Sequence, residues 1–174
     1  MKNKIIKTSF IALLVVFILV AAIIFVFTPK VFIPTEIIEN HTEFVQPGLL
    51  FEQKVSRYPI KANVSEIKYD NETKLFVGIA GQTNEVNYGL APINSSIRKI
   101  VKFKNNEAFP IRVSIYVYGA VAPYVTMDEN NVIINPGEFK EITTRFDARD
   151  LGYYTGEMTI ISKMPHLPFL TMFI

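Results

Sequence analysis

The sequence predicts an all-β domain, an antiparallel sandwich, preceded by one N-terminal transmembrane helix. Three observations carry that expectation. The stretch from Phe10 to Phe27 is apolar without interruption, several short stretches beyond residue 63 alternate apolar and polar residues, and turn signals separate them with no helical period outside the first thirty residues.

The apolar stretch, with Thr8, Ser9 and Thr28 tolerated at its ends, reaches about 20 residues, and a helix of that length rises about 30 Å, the depth of a hydrocarbon core. A cleaved secretory signal has a shorter apolar region and a small-x-small site. Here Ala21-Ala22 runs on into Ile23, Ile24 and Phe25, so residues 10–28 read as an uncleaved signal anchor that meets membrane lipid. Lys2, Lys4 and Lys7 precede the stretch and only Lys30 follows closely. The basic flank stays inside, which makes residues 1–9 cytoplasmic and sends the rest of the chain to the extracytoplasmic side. A type IV pilin also begins with a basic leader and an apolar helix, but its glycine before the cleavage point and its early glutamate are missing; Glu36 is the first acidic residue.

Residues 29–62 carry Pro29, Pro34, Pro47 and Pro59 among short apolar pieces. Proline removes a backbone donor and fixes φ, so this segment reads as a stalk or irregular lead-in. The sandwich is expected over 63–164. Its clearest strand is "IRVSIYVYG", where Ile111, Val113, Ile115 and Val117 fall on one side and Arg112, Ser114, Tyr116 and Tyr118 on the other. Less regular runs occur at 74–80, 96–104, 131–135, 139–146 and 157–162. In the turn before "FKEITTRF", Pro136 presets φ and Gly137 supplies the permissive position, which puts Glu138 at the strand's mouth and Glu141 on its solvent face as ordinary surface charge. The apolar tail 165–174 is too short to span a bilayer and reads as a last strand or as an exposed docking segment.

The succession "VNYGLAPINSSIRKIVKFKNNEAFPIRVSIYVYG", "IINPGEFKEITTRFDA" and "GYYTGEMTI" resembles the immunoglobulin-like domains of the PapD-like and major-sperm-protein-like group, of the type found in ASPM and hydin. The resemblance rests on Asn87, Gly89 and Pro92, on Asn105 and Asn106, on the Pro136-Gly137-Glu138 turn, and on Gly152, Tyr154 and Gly156. It implies an immunoglobulin-like sandwich of about seven strands that serves as a binding or assembly module and not as an enzyme. The anchor and the sequons depart from the cytoskeletal members of the group. The Lys-, Ile- and Asn-rich composition resembles that of archaeal surface proteins.

Composition excludes several chemistries. With no cysteine the chain has no disulfide, thiolate-metal or cysteine-nucleophile option. Removing Lys2, Lys4, Lys7 and Lys30 from 18 basic residues leaves 14 against 16 acidic, a net of −2 for the outward part. That part has no concentrated basic face, so nucleic acid is not an expected partner. His41 and His166 lie far apart without a nucleophile elbow or ligand spacing, and they read as solvated polar residues. Asp128, Glu129, Asn130 and Asn131, and likewise Asp147 and Asp150, are oxygen-rich but lack the spacing of a calcium loop, and read as turn residues. No catalytic residue, metal ligand or cofactor site is expected.

Asn40, Asn63, Asn71 and Asn94 head Asn-x-Ser/Thr sequons beyond the anchor and are candidate N-glycosylation sites. Arg112, Ser114, Tyr116 and Tyr118 form the candidate partner face, since tyrosine and arginine are enriched where proteins bind one another; the competing reading is that other segments cover them. Arg98, Lys102 and Lys104 share one side of the preceding strand, as a positive stripe or as edge residues that discourage aggregation. These readings together predict a membrane-anchored extracytoplasmic binding or assembly module with a protein partner. A self-assembling cell-envelope component and an accessory to an envelope enzyme are the alternatives.

Overall fold

The computed structural model describes residues 13–20, 32–66 and 84–174. Two sheets enclose one core. The larger, six-stranded sheet has the order β1-β2-β9-β5-β7, with β3 also on β2, and the smaller has the order β4-β8-β6. The strands are β1 (Thr42–Gln46), β2 (Phe51–Ser65), β3 (Val86–Pro92), β4 (Ser95–Lys104), β5 (Ile111–Gly119), β6 (Val125–Met127), β7 (Val132–Ile134), β8 (Phe139–Ala148) and β9 (Gly152–Pro165). All pair antiparallel except β2 with β3, which run parallel. Among the described residues nine strands stand where about seven were expected, with β1 and most of β2 drawn from the lead-in and β6 (Val125–Met127) unforeseen.

The lead-in is therefore not a stalk along its length. β2 is the longest strand and pairs with β9 from Phe51↔Pro165 to Val64↔Gly152. On its other edge β1 ends at Arg57 and β3 begins at Ile60. Pro59 falls in that gap, where the N–H it lacks has no ladder partner to lose. The tail is likewise not a strand: β9 ends at Pro165, and Pro168–Phe173 form a 3-10 turn that puts Leu170 and Ile174 against Phe51. The run at 74–80 lies outside the described residues.

Alternation predicts β4, β8 and β5 well, and the short β6 escapes it. Ile142, Thr144, Phe146 and Ala148 of β8 are buried, as are Ile111, Val113 and Ile115 of β5. They meet Ile60, Val64, Met158 and Ile160 in the core between the sheets. The motif residues behind the family resemblance converge here. A bulge between Lys61 and Ala62 of β2 is matched by an extra residue in β3, Tyr88, followed by Gly89 at φ +70° whose N–H donates to Asn87 Oδ1 (2.8 Å). The bulge turns Tyr88 into the core, stacked 5.3 Å from Phe146 with its hydroxyl on Thr144 Oγ1 (2.9 Å). Burial pushes that hydroxyl's pKa up to about 12. Asn105, fully buried, donates from Nδ2 to the carbonyls of Phe109 and Ile134, and its own carbonyl accepts from Gly137 N in the Pro-Gly-Glu turn.

Among the described residues no helix is long and apolar enough to cross a membrane. Residues 13–20 are helical, and the remainder of the expected span 10–28 lies outside the described residues, as do the basic residues 1–9.

Candidate functional site

The face of the larger sheet turned away from the core is the first place to look, because the candidate partner stripe lies there. β9 runs through its middle. Glu157, Thr159, Ile161 and Lys163 stand in register with Tyr118, Tyr116, Ser114 and Arg112 of β5 on one side. Thr159, Ile161 and Lys163 face Arg57, Val55 and Gln53 of β2 on the other. Most of these side chains are buried although they point outward from the core, which requires a second layer.

Two chain segments supply part of that layer. At one end Phe32 packs edge-on against Phe44 (5.3 Å), receives the Arg57 guanidinium over its ring (5.1 Å) and accepts the Tyr118 hydroxyl at its carbonyl (3.4 Å). At the other end the tail covers Phe51. Ser114 is buried and donates to Asn131 Oδ1 (2.6 Å), and the neighbouring Asn130 side chain behaves as an added strand residue: its Oδ1 accepts from Ile115 N and its Nδ2 donates to Ile115 O, both at 2.8 Å. The oxygen-rich loop thus extends the pairing of β5 beyond β7. Asp128 Oδ1 is occupied too, accepting from the N–H groups of Glu129 and Thr143 at 2.8 Å. Among the described residues no group of acidic or histidine side chains is arranged to hold a metal.

Arg112, Ser114, Tyr116 and Tyr118 are brought together, but as a partly covered layer. Tyr116 and Tyr118 stack at 6.4 Å and are half-buried. Burial raises the Tyr118 hydroxyl's pKa, with the charges of Tyr116 and Glu157 adding to it. Arg112 Nε is buried without a hydrogen-bond partner among the described residues. Lys163, over the Phe51 ring at 3.8 Å, has its pKa lowered by burial and then by the Arg112 charge.

Sequence reasoning missed the polar centre of this face. Glu157 is fully buried and takes a two-pronged ion pair from Arg57, Nε to Oε1 at 2.9 Å and Nη2 to Oε2 at 2.6 Å. Thr159 Oγ1 donates to Oε1 (2.6 Å) and Ile38 N to Oε2 (3.3 Å), while Arg57 Nη2 also donates to Glu36 O (2.6 Å). Burial pushes the Glu157 carboxyl up, but Arg57 and Thr159 outweigh it and hold the pKa below the ordinary range. The available signal was a lone acidic residue inside the apolar run "GEMTII". The pair ties the segment 36–38 to the middle of the sheet.

The second place is the gap between the sheets beside β4. A cleft of about 710 Å³ opens there, floored by Tyr58, Met158 and Ile160 and walled by Val101 and Phe103 of β4. Arg98 and Lys102, of the predicted basic stripe, line it, and Lys104 lies at the end of the same strand over the Phe139 ring (5.2 Å). Lys102 pairs with Glu141 at 2.8 Å.

The remaining expectations fall elsewhere. His41 stacks on Tyr58 at 4.4 Å and is half-buried; His166 Nε2 lies 2.9 Å from Gly48 O. His41 is thus packed instead of solvated, because it sits opposite Tyr58 where β1 begins. Asp147 pairs with Arg145 (2.7 Å), and Asp150 accepts the Tyr124 hydroxyl (2.9 Å). Asn40, Asn63 and Asn94 are exposed, Asn94 in a turn at φ +63°; Asn71 lies outside the described residues. The chain matches no family model, no curated protein and no solved structure.

Proposed function

We propose that the chain is a membrane-anchored, extracytoplasmic binding or assembly module of immunoglobulin-like fold that acts without catalysis. The observation that carries the binding role is the mismatch between the sheets. Among the described residues six strands face three, and the space between the sheets beside β4 is a cleft with an apolar floor and basic side chains on its β4 wall. A concave site with an apolar floor and a few polar groups on its walls is the usual form of a binding site.

The immunoglobulin-like reading is supported by how consecutive strands cross between the sheets, β4 to β5 and β8 to β9, and by Tyr154. The Tyr154 hydroxyl donates back to Asp150 O (3.0 Å) across the corner between β8 and β9, as the tyrosine of such corners does. One departure accompanies it: the place beside β9 is filled by β2, which comes from the lead-in ahead of the expected sandwich. The anchor is supported by residues 13–20, apolar on every side of the helix and 49% to 71% exposed, since a helix apolar all round is at home in lipid or in a core. Exposed Asn40, Asn63 and Asn94 are compatible with glycans on an outward domain.

Self-assembly into an envelope structure is the second reading, favoured by the apolar side chains left exposed near the tail, Leu49, Phe169 and Met172. The test is extraction of the full-length protein from its native membrane in mild detergent, with its partners identified by mass spectrometry. A stoichiometric partner supports the binding module. Recovery as a homo-oligomer transfers the support to self-assembly, and recovery as a bare monomer removes both readings.

A further inference from the structure

We propose that the free edge of β4 is a strand-addition site for an extended peptide that alternates apolar with acidic residues. The inference rests on the binding-module reading and names the surface and the chemistry it takes. Three features coincide on β4. Nothing among the described residues pairs with its second edge, because the smaller sheet ends there. In an antiparallel strand every second residue turns its N–H and C=O away from its one neighbour, so this edge presents a row of open backbone groups. A peptide that pairs with them becomes a fourth strand of the smaller sheet.

The second feature is the cleft. Side chains of β4 alternate strictly in burial from Ser95 to Lys104, yet none is fully buried. Of the inward set, Lys99, Val101 and Phe103 face a space that Tyr58, Met158 and Ile160 close from below. An added strand would turn every second side chain into that space, so those positions must be apolar.

The third feature is charge. β4 carries Arg98, Lys99, Lys102 and Lys104 and no acidic residue, while the cleft's two glutamates, Glu43 and Glu85, are already paired with Lys54 and Lys61. Lys102 is paired with Glu141 of β8; Arg98 makes no ion pair among the described residues. Basic residues on an edge strand oppose indiscriminate pairing, and the same charges favour a strand whose outward positions are acidic. The outward positions of the added strand lie beside Arg98, Lys102 and Lys104, which completes the alternation of apolar and acidic side chains.

The experiment uses the full-length protein in detergent micelles and a labelled nine-residue peptide alternating valine and glutamate. Binding is followed by fluorescence anisotropy and hydrogen exchange. Binding is expected to slow amide exchange within residues 97–103 and to weaken about tenfold or more when the peptide's glutamates become lysines. N-methylation of alternate peptide nitrogens on one edge should abolish binding, and on the other edge should leave it intact. The variant Arg98→Glu/Lys102→Glu, both positions exposed, should lose the glutamate peptide and gain the lysine peptide, a reversal that misfolding cannot produce. Absence of peptide binding, binding indifferent to both reversals, or amides of 97–103 already protected without peptide would each overturn the site. If a native partner stays bound to the double variant, the site fails while the module stands. If the peptide binds through β4 but no native partner exists, the module reading fails alone.

Discussion

β9 and β4 are both long antiparallel strands, and they occupy opposite situations. β9 is paired along both edges, and Gly156 to Ile161 form an unbroken buried run because the larger sheet is covered on both faces. β4 is paired along one edge among the described residues, alternates, and buries no residue fully. The comparison separates two uses of the same backbone. Where both edges and both faces are satisfied, a strand holds the molecule together; where one edge is open, it is free to hold something else.

The sharpest way to break the β9 side is Gly156→Ala. Gly156 stands opposite Gly119, and a Cβ there would run into Tyr118 O and come within 2.5 Å of Val121 Cγ1. Backbone cannot yield as a side-chain tip can, so a loss of more than about 3 kcal/mol is expected in urea denaturation. A loss under about 1 kcal/mol would mean that β5 and β9 are not in this close register.

Next in size is Glu157→Gln, which leaves Arg57 facing a neutral partner in a buried setting. It should cost about 2 kcal/mol or more at neutral pH, since removing one member of a buried pair strands the other. Because the folded state lowers the Glu157 pKa, its contribution is complete above the ordinary glutamate range and is lost as pH falls through the folded-state value. The gap between wild type and variant should therefore close on acidification. A gap that is constant from pH 7 to pH 3 would assign the cost to packing.

Tyr88→Phe should cost about 1 kcal/mol, the usual worth of one buried hydroxyl bond, here to Thr144. Smallest is Ile100→Thr on the outer side of β4, where the side chain is exposed. A change within about 0.5 kcal/mol is expected by the same denaturation assay. A larger loss would place β4 in a covered environment and remove the contrast with β9.

The same contrast explains what was legible in the sequence. β5, β8 and β4 each have one face turned to a shared core, so period two shows through, and the Pro136-Gly137 turn marks where β8 begins. The middle of β9 is covered on both faces, which erases alternation, and in β2 the buried set switches from odd positions (Phe51, Gln53, Val55) to even ones (Ile60, Ala62, Val64) around Pro59, which breaks the period. Pro59 then looked like a strand breaker, because the gap between β1 and β3 that tolerates it exists only in three dimensions. The Tyr116/Tyr118 stripe was found correctly as one side of a strand, but the segment from Phe32 that shields it is irregular and carries no period. Arg57 and Glu157 are roughly a hundred positions apart, and nothing local in either neighbourhood names the other. The open edge of β4 was equally hidden, since a basic strand reads alike at the centre and at the rim.

The pairing of β2 with β9 also has a consequence for biosynthesis. A ribosome finishes β2 roughly ninety residues before it reaches the strand that β2 must lie against. During that interval Val55, Ile60 and Val64 are exposed on a nascent chain, and the sheet cannot close until β9 has emerged. A strand made early is thus among the last to complete its pairing, and its apolar side chains are open to chaperones for as long as that delay lasts.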